Sequence, residues 1–246
     1  MNPKAFHAMS YGVYIVSTWD NGRPTGCTAN CAAQITADPA TVMVSINKNN
    51  YTNKCIKDCG HFAISILTEN SDPSIIGTFG FRSGKDCNKF DAVPYSVKDA
   101  LPVVSDCGAY IACKVIDTMD SPTHTVFLGQ VIGADVLSDN PPMTYAYYHN
   151  VIKGRSPKNA PIYVEPEEAV EPEEAAKPEE AAEPAAGSGA KEAAGQATAG
   201  GGNAEKAAPS RWVCSVCGYV YEGESLPADF RCPICGVGAE RFHPAE

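Results

Sequence analysis

Apolar positions come in short, closely spaced runs through the first two thirds of the chain. Tyr11 to Thr18, Thr25 to Thr36, Thr41 to Asn47, Phe62 to Leu67, Ala109 to Asp117 and Thr125 to Val136 are rich in Val, Ile, Thr and aromatic residues. Turn signals such as Asp20-Asn21-Gly22 and Ala37-Asp38-Pro39 separate them. Branched and aromatic side chains suit a pleated, half-buried surface, so each run predicts a β-strand. Helical pattern is sparse. It is confined to Asn50 to Cys59, Ser71 to Thr78 with Pro73 in its first turn, Met143 to Val151, and a short opening helix that Asn2 and Pro3 would cap. Many short strands with minor helices predict a mainly β fold, a closed antiparallel barrel rather than a βαβ sheet.

The pattern stops at Glu165, where Glu-Pro-Glu-Glu-Ala-Val, Glu-Pro-Glu-Glu-Ala-Ala and Lys-Pro-Glu-Glu-Ala-Ala follow one another, with prolines at 166, 172, 178 and 184. A proline at every sixth residue forbids a long helix, and nothing in the run buries a core. Residues 164–209 therefore read as a disordered linker between a domain over 1–163 and another over 210–246. As a flexible coil its ends would lie roughly 37 Å apart. The net charge of −10 is concentrated there: the linker carries 3 basic and 11 acidic residues, while residues 1–163 carry 13 of each. No Lys/Arg cluster offers the footprint that nucleic acid needs. The N-terminus lacks an apolar signal region and no apolar run reaches 18 residues, so neither a leader nor a membrane span is expected and the cytoplasm is the expected compartment. Seven cysteines (27, 31, 55, 59, 87, 107 and 113) lack C-x-x-C spacing and read there as free thiols.

The last segment holds the sharpest chemical signal. Trp212-Val213-Cys214-Ser215-Val216-Cys217-Gly218-Tyr219 is answered by Phe230-Arg231-Cys232-Pro233-Ile234-Cys235-Gly236. Two C-x-x-C-G pairs bring four thiolates to one tetrahedral ion, and the glycine after each pair permits the turn by which backbone N–H groups face the sulfurs. Soft thiolates suit zinc, in a structural ribbon, and iron alike. Trp212, Tyr219, Tyr221, Phe230 and Phe242 form a large aromatic set for so short a segment, and with the second pair reading C-P-x-C-G the segment resembles rubredoxin, the mononuclear iron carrier. The resemblance implies iron on Cys214, Cys217, Cys232 and Cys235. The 14 residues between the pairs form a shorter loop than in free-standing rubredoxins, which trims the cover over the ion.

Residues 1–163 contain no G-x-G-x-x-G, Walker loop, G-x-S-x-G or H-E-x-x-H, so a Rossmann domain is not indicated. They do contain a run of small and amide residues, Gly26 to Ala33, which lets a planar ring approach the backbone. A second run, Ser45-Ile46-Asn47-Lys48-Asn49-Asn50-Tyr51-Thr52, ends a strand and opens a helix, a placement that suits a phosphate. A plain turn with a capped helix is the alternative.

These runs, with Phe62-Ala63-Ile64-Ser65-Ile66-Leu67, Lys89-Phe90 and His124-Thr125-Val126-Phe127-Leu128-Gly129-Gln130-Val131, resemble the flavin reductase-like family of FMN-binding split β-barrels from about residue 6 to 156. The resemblance implies that Thr28, Ala29, Asn30 and Cys31 contact the isoalloxazine, and Ser45, Asn47, Lys48, Asn49 and Thr52 the ribityl phosphate. Arg82 and Lys85 of Phe81-Arg82-Ser83-Gly84-Lys85 would join them as phosphate ligands, or else stand on a solvated loop. It casts His124 as a catalytic residue at the nicotinamide, or as a strand cap; Thr123 stands where many relatives carry an acid. Tyr145, Tyr147, Tyr148 and His149 could face the flavin or a subunit interface, but their helical spacing reads as packing and leaves them out of the site.

A flavin takes a hydride and releases electrons singly, and a mononuclear iron carries one. The arrangement is similar to the high-molecular-weight rubredoxins, which implies an NAD(P)H-dependent homodimer donating electrons to a flavodiiron-type reductase of oxygen or nitric oxide. The alternatives are a flavin reductase that releases reduced FMN, and a flavin-binding protein with a structural zinc ribbon.

Overall fold

The computed structural model of the chain describes residues 2, 4–152, 154, 156, 160, 211–214, 219–234 and 237–245. The expected linker and the thiols of Cys217 and Cys235 lie outside the described residues.

Seven strands form one antiparallel sheet: β1 (Tyr14–Asp20), β2 (Arg23–Ala29), β3 (Ala32–Ala37), β4 (Ala40–Asn47), β5 (His61–Ile66), β8 (Ala109–Asp120) and β9 (His124–Val136), in the order β2-β1-β5-β8-β9-β4-β3. Between β5 and β8 a hairpin of β6 (Tyr95–Lys98) and β7 (Leu101–Val104) stands apart. Its turn holds Asp99 and Ala100 at φ 46° and 65°. With no glycine to mark those left-handed positions, the pattern of the sequence missed the hairpin.

Successive residues of β1 point to opposite faces, as the two-residue period requires. Val16 joins Phe62, Ile64, Val44, Cys113 and Phe127 in one core, while Ile15 joins Ala63, Leu67, Ile76, Phe79 and Val103 in another. Ile56 of α2 (Tyr51–Cys59) seals the first core, and Ile75, Ile76 and Phe79 of α3 (Pro73–Phe81) and the β7 residues cover the second. Both faces are buried, so the central strands read as near-continuous apolar runs. Gly129 is one position where only glycine fits: a Cβ there would lie 2.7 Å from both Cys113 Cβ and Phe62 Cζ.

Two expectations need correction. The run Thr25 to Thr36 is two strands, not one, because the chain leaves one edge of the sheet at Ala29 and enters the opposite edge at Ala32. For the same reason the barrel is not closed by a ladder. No strand pair joins β2 to β3 or β4 among the described residues, and the Ser45 N–H, donating to Cys31 O at 3.0 Å, only extends the β3–β4 ladder by one step. Register shifts between Ala112 and Cys113 and between Val115 and Asp117 bend the long β8–β9 pair, as bulges do. The result is a mainly β, split barrel.

The C-terminal segment is a separate three-stranded sheet, β11 (Val220–Glu222), β10 (Arg211–Cys214) and β12 (Phe242–Pro244), in that order. No helix among the described residues is long and apolar enough to cross a membrane.

Candidate functional site

Asn30 follows the last residue of β2, and there the barrel opens into a cavity of about 230 Å³. The ends of β2 and β4, the start of α2, the end of α3 and the β8–β9 turn meet around it. Thr28, Ala29, Asn30, Ser45, Asn47, Asn49, Thr52, Arg82 and His124 line its wall. Cys31, Lys48 and Lys85 do not. The Lys48 N–H donates to Thr123 O at 2.9 Å, and its ammonium lies 3.8 Å from Asp120 Oδ1, which Lys57 also approaches at 3.7 Å.

Local chemistry explains the wall. The Asn47 carboxamide oxygen accepts from the Asn49 N–H at 2.9 Å and tightens the turn into α2, while Asn53 Nδ2 donates to Ile46 O at 2.9 Å and ties the helix to β4. The Asn50 side chain does not cap α2, and Asn50, Tyr51 and Thr52 at the start of the helix line the cavity, where the macrodipole favours an anion. Asn47 pairs with His124 across β4 and β9. The His124 ring is held by Thr123, whose Oγ1 is 2.8 Å from Nδ1, and Ser121 ties the turn by exchanging hydrogen bonds with the His124 backbone.

The loop after α3 is fastened from outside the cavity. Arg23 Nη2 donates to Gly84 O at 2.9 Å and pairs with Asp20 Oδ2 at 2.7 Å, and the Tyr51 hydroxyl donates to the same carboxylate at 3.0 Å. The Arg23 hydrogen bond holds the Asp20 carboxyl below the usual carboxylate range, with the Tyr51 bond acting the same way.

Sequence reasoning missed several wall residues. Tyr145 and Tyr148 of α4 (Tyr145–Asn150) pack in the second core, as their helical spacing suggested, and they also line the cavity. Burial pushes the Tyr145 hydroxyl up to about 12, so it stays neutral, and it shares a hydrogen with Ser156 at 2.6 Å. Cys27, Tyr51, Phe79 and Lys89 line it too. Lys89 stood in a stretch already noted for its resemblance, but only the folded chain turns its side chain inward.

In the C-terminal sheet Cys214 and Cys232 are each 1% exposed. The Cys214 N–H donates to Tyr219 O and the Cys232 N–H to Val237 O, both at 2.8 Å. The two turns thus close in the same way, five residues ahead of each cysteine. Ile234 is fully buried, and Phe230 packs against Tyr221 and Phe242 with centroids 4.7 and 5.3 Å apart.

A split barrel with a cavity at its seam and a small cysteine-knuckle sheet define a two-domain redox protein. Residues 6–154 match the flavin reductase like domain and residues 212–243 the rubredoxin-like domain of rubrerythrin. The chain belongs to the flavin reductase like family. It is 35% identical, over 98% of its length and 99% of the relative's, to the high molecular weight rubredoxin of Moorella thermoacetica. It is also 40% identical to the NAD(P)H ferric-chelate reductase of Archaeoglobus fulgidus, over 67% of this chain and 99% of that one. The solved nitrilotriacetate monooxygenase component B of Mycobacterium thermoresistibile superposes with a TM-score of 0.53 at 26% identity, over 58% of this chain and 79% of that one.

The fusion supports flavin-linked electron transfer by an oxidoreductase, the first domain implying a flavin and the second an iron ion. The residues present fit both. Asn30 is 6% exposed and its Nδ2 is a buried donor with no partner among the described residues, the kind of group a ring carbonyl satisfies. At the other site the donor set is all thiol, with two members buried on matching turns.

Proposed function

We propose that the chain is an NAD(P)H-dependent flavoprotein that passes electrons from FMN in the barrel cavity to the rubredoxin iron, and from there to an acceptor such as a flavodiiron-type reductase of oxygen or nitric oxide. The observation that carries the flavin assignment is the Asn30 Nδ2, a buried donor with no partner among the described residues, in a cavity wall that also holds small residues, other amides and the start of α2. The proposed division is a barrel over 1–163, a linker over 164–209 and an iron domain over 210–246; family matches over 6–154 and 212–243 support it.

Bound in the cavity, FMN would supply two-electron acceptance and one-electron release, and Fe(Cys)₄ would supply single-electron transfer. The chain's own residues do the positioning. Thr28, Ala29 and Asn30 offer backbone and amide groups to the ring, with Cys31 just beyond them. Ser45, Asn47, Asn49, Thr52 and the N-terminus of α2 take the ribityl phosphate, and Arg82 brings a guanidinium fork to it. Lys48 and Lys85, outside the wall, add charge at a distance. His124, oriented by Thr123, is the residue assigned to the nicotinamide. Cys214, Cys217, Cys232 and Cys235 are the metal ligands.

A homodimer is the assembly that the family resemblance implies, and an apolar concavity of about 290 Å³ that opens on the first core, lined by Tyr14, Ile66, Ile111 and Val131 among others, is its candidate face. A reducing compartment, the cytoplasm, suits seven barrel cysteines none of which is in a disulfide.

One absorption series tests the reading. The purified chain should show flavin yellow and ferric red together, and NADH or NADPH should bleach both. A flavin spectrum without the red band, with zinc by elemental analysis, overturns the iron step. Cutting the chain between residues 187 and 203 should then make iron reduction depend on protein concentration, because the tether no longer fixes the local concentration. Equal, concentration-dependent rates before and after cutting refute transfer within one molecule.

A further inference from the structure

Among the described residues Lys89 is the only lysine, arginine, aspartate or glutamate whose side chain is buried, at 4% exposure. It leaves a short 3-10 turn (Lys89–Asp91) and runs inward to the cavity wall. Its ammonium donates to Gly26 O at 2.8 Å and Phe79 O at 2.9 Å and sits 5.6 Å from the Phe79 ring centre. None of the ion pairs among the described residues includes it. Asp91, its nearest acid in sequence, is exposed and bonded instead to Asn88 Nδ2 at 2.6 Å.

The neighbouring thiol does not supply the missing charge. Burial pushes the Cys27 thiol up, which keeps it neutral, and burial pulls the Lys89 ammonium down. Two carbonyl oxygens solvate an ammonium in part, but a buried cation without a counter-ion is costly, and an apolar side chain of the same length would fill the space without that cost. A clamp between β2 and α3 needs only a donor. The full charge needs another reason, and the cavity is the open side.

We propose that Lys89 is a built-in counter-charge for the flavin: its ammonium takes its missing anion from the cavity, either the ribityl phosphate or the ring after reduction. This rests on the flavin reading above. Hydride transfer adds two electrons and one proton to the ring while the nicotinamide becomes its oxidised cation, so the ring ends with one net negative charge. A cation fixed in the wall favours that state over the neutral oxidised ring, and it favours a phosphorylated flavin at any redox state.

The test uses the full chain freed of flavin and reloaded, with Lys89→Met, which removes charge and donor, and Lys89→Gln, which keeps a donor for the carbonyls. FMN and riboflavin affinities are measured by fluorescence titration, and the midpoint potential of bound FMN by redox titration. If phosphate is the counter-ion, both variants lose FMN affinity by about tenfold or more relative to riboflavin, the scale of a hydrogen bond to a charged group. If the reduced ring is the counter-ion, both variants favour oxidised over reduced FMN by about tenfold more than the parent does, which lowers the two-electron midpoint by about 30 mV. Lys89→Gln matching the parent in both measurements overturns the proposal and leaves Lys89 a clamp.

Should neither variant fold, the parent decides. Its FMN affinity should fall as pH rises through the ammonium's titration, which burial pulls below the ordinary lysine value, whereas a flat profile overturns the proposal. A parent that binds no flavin at all refutes the flavin reading itself, a result distinct from any of these.

Discussion

Asn30→Leu should move the flavin-free and flavin-loaded proteins in opposite directions. Among the described residues the Asn30 amide nitrogen is a buried donor with no partner, in a residue only 6% exposed. Leaving such a donor unmatched costs about 1–3 kcal/mol, and leucine removes the donor at similar volume. For a domain of this size each kcal/mol is worth about 2–4 °C, so the flavin-free barrel should melt roughly 2–12 °C higher. The loaded protein loses a hydrogen bond made only with the ligand, and FMN should bind about 10- to 100-fold more weakly. Differential scanning fluorimetry with and without FMN, together with a fluorescence titration, reads both effects on one sample. If Asn30→Leu destabilises the free protein and leaves FMN affinity unchanged, Asn30 is a structural residue and the argument from its unmet donor fails.

Cys214→Ser should abolish the ferric absorption while leaving the flavin spectrum and NADH oxidation by artificial acceptors intact; loss of flavin with it would contradict the division into two domains. The Asp20 carboxyl is held low by Arg23, so its contribution to stability is fully present above the unfolded value of about 4 and is lost as pH falls through the lower folded value. Melting curves of the parent and Asp20→Asn should differ by a constant amount from about pH 7 to about pH 5 and converge below about pH 4; a gap that widens on acidification would reverse the assigned sign. Ile111→Asp, which puts a charge in the apolar concavity, should convert a dimer to a monomer that still holds FMN. An unchanged sedimentation coefficient would place the interface elsewhere.

Patterning along the chain determined what depends on local chemistry. Branched and aromatic runs located β1, β4, β5, β8 and β9 because a strand's preference lies in its own side chains. Pro73 after Asp72 marked the start of α3, and the Asp72 carboxylate does accept from the Ser74 N–H at 2.8 Å. The spacing of Cys214 and Cys232 within their knuckles was equally readable, since each turn closes within five residues.

Only the tertiary structure decided where the barrel splits, because that depends on which strands become edges, a pairing between residues far apart in the chain. It divided Thr25 to Thr36 at Asn30 and Cys31 and so placed Asn30 at the opening. It put Thr28, Asn47, Arg82 and His124 around one cavity while leaving Lys48 paired toward Asp120. It also turned Lys89 into the wall against the ordinary preference of lysine for water. Periodicity carries the burial of an average face, not the inward turn of one charged side chain held by the carbonyls of Gly26 and Phe79.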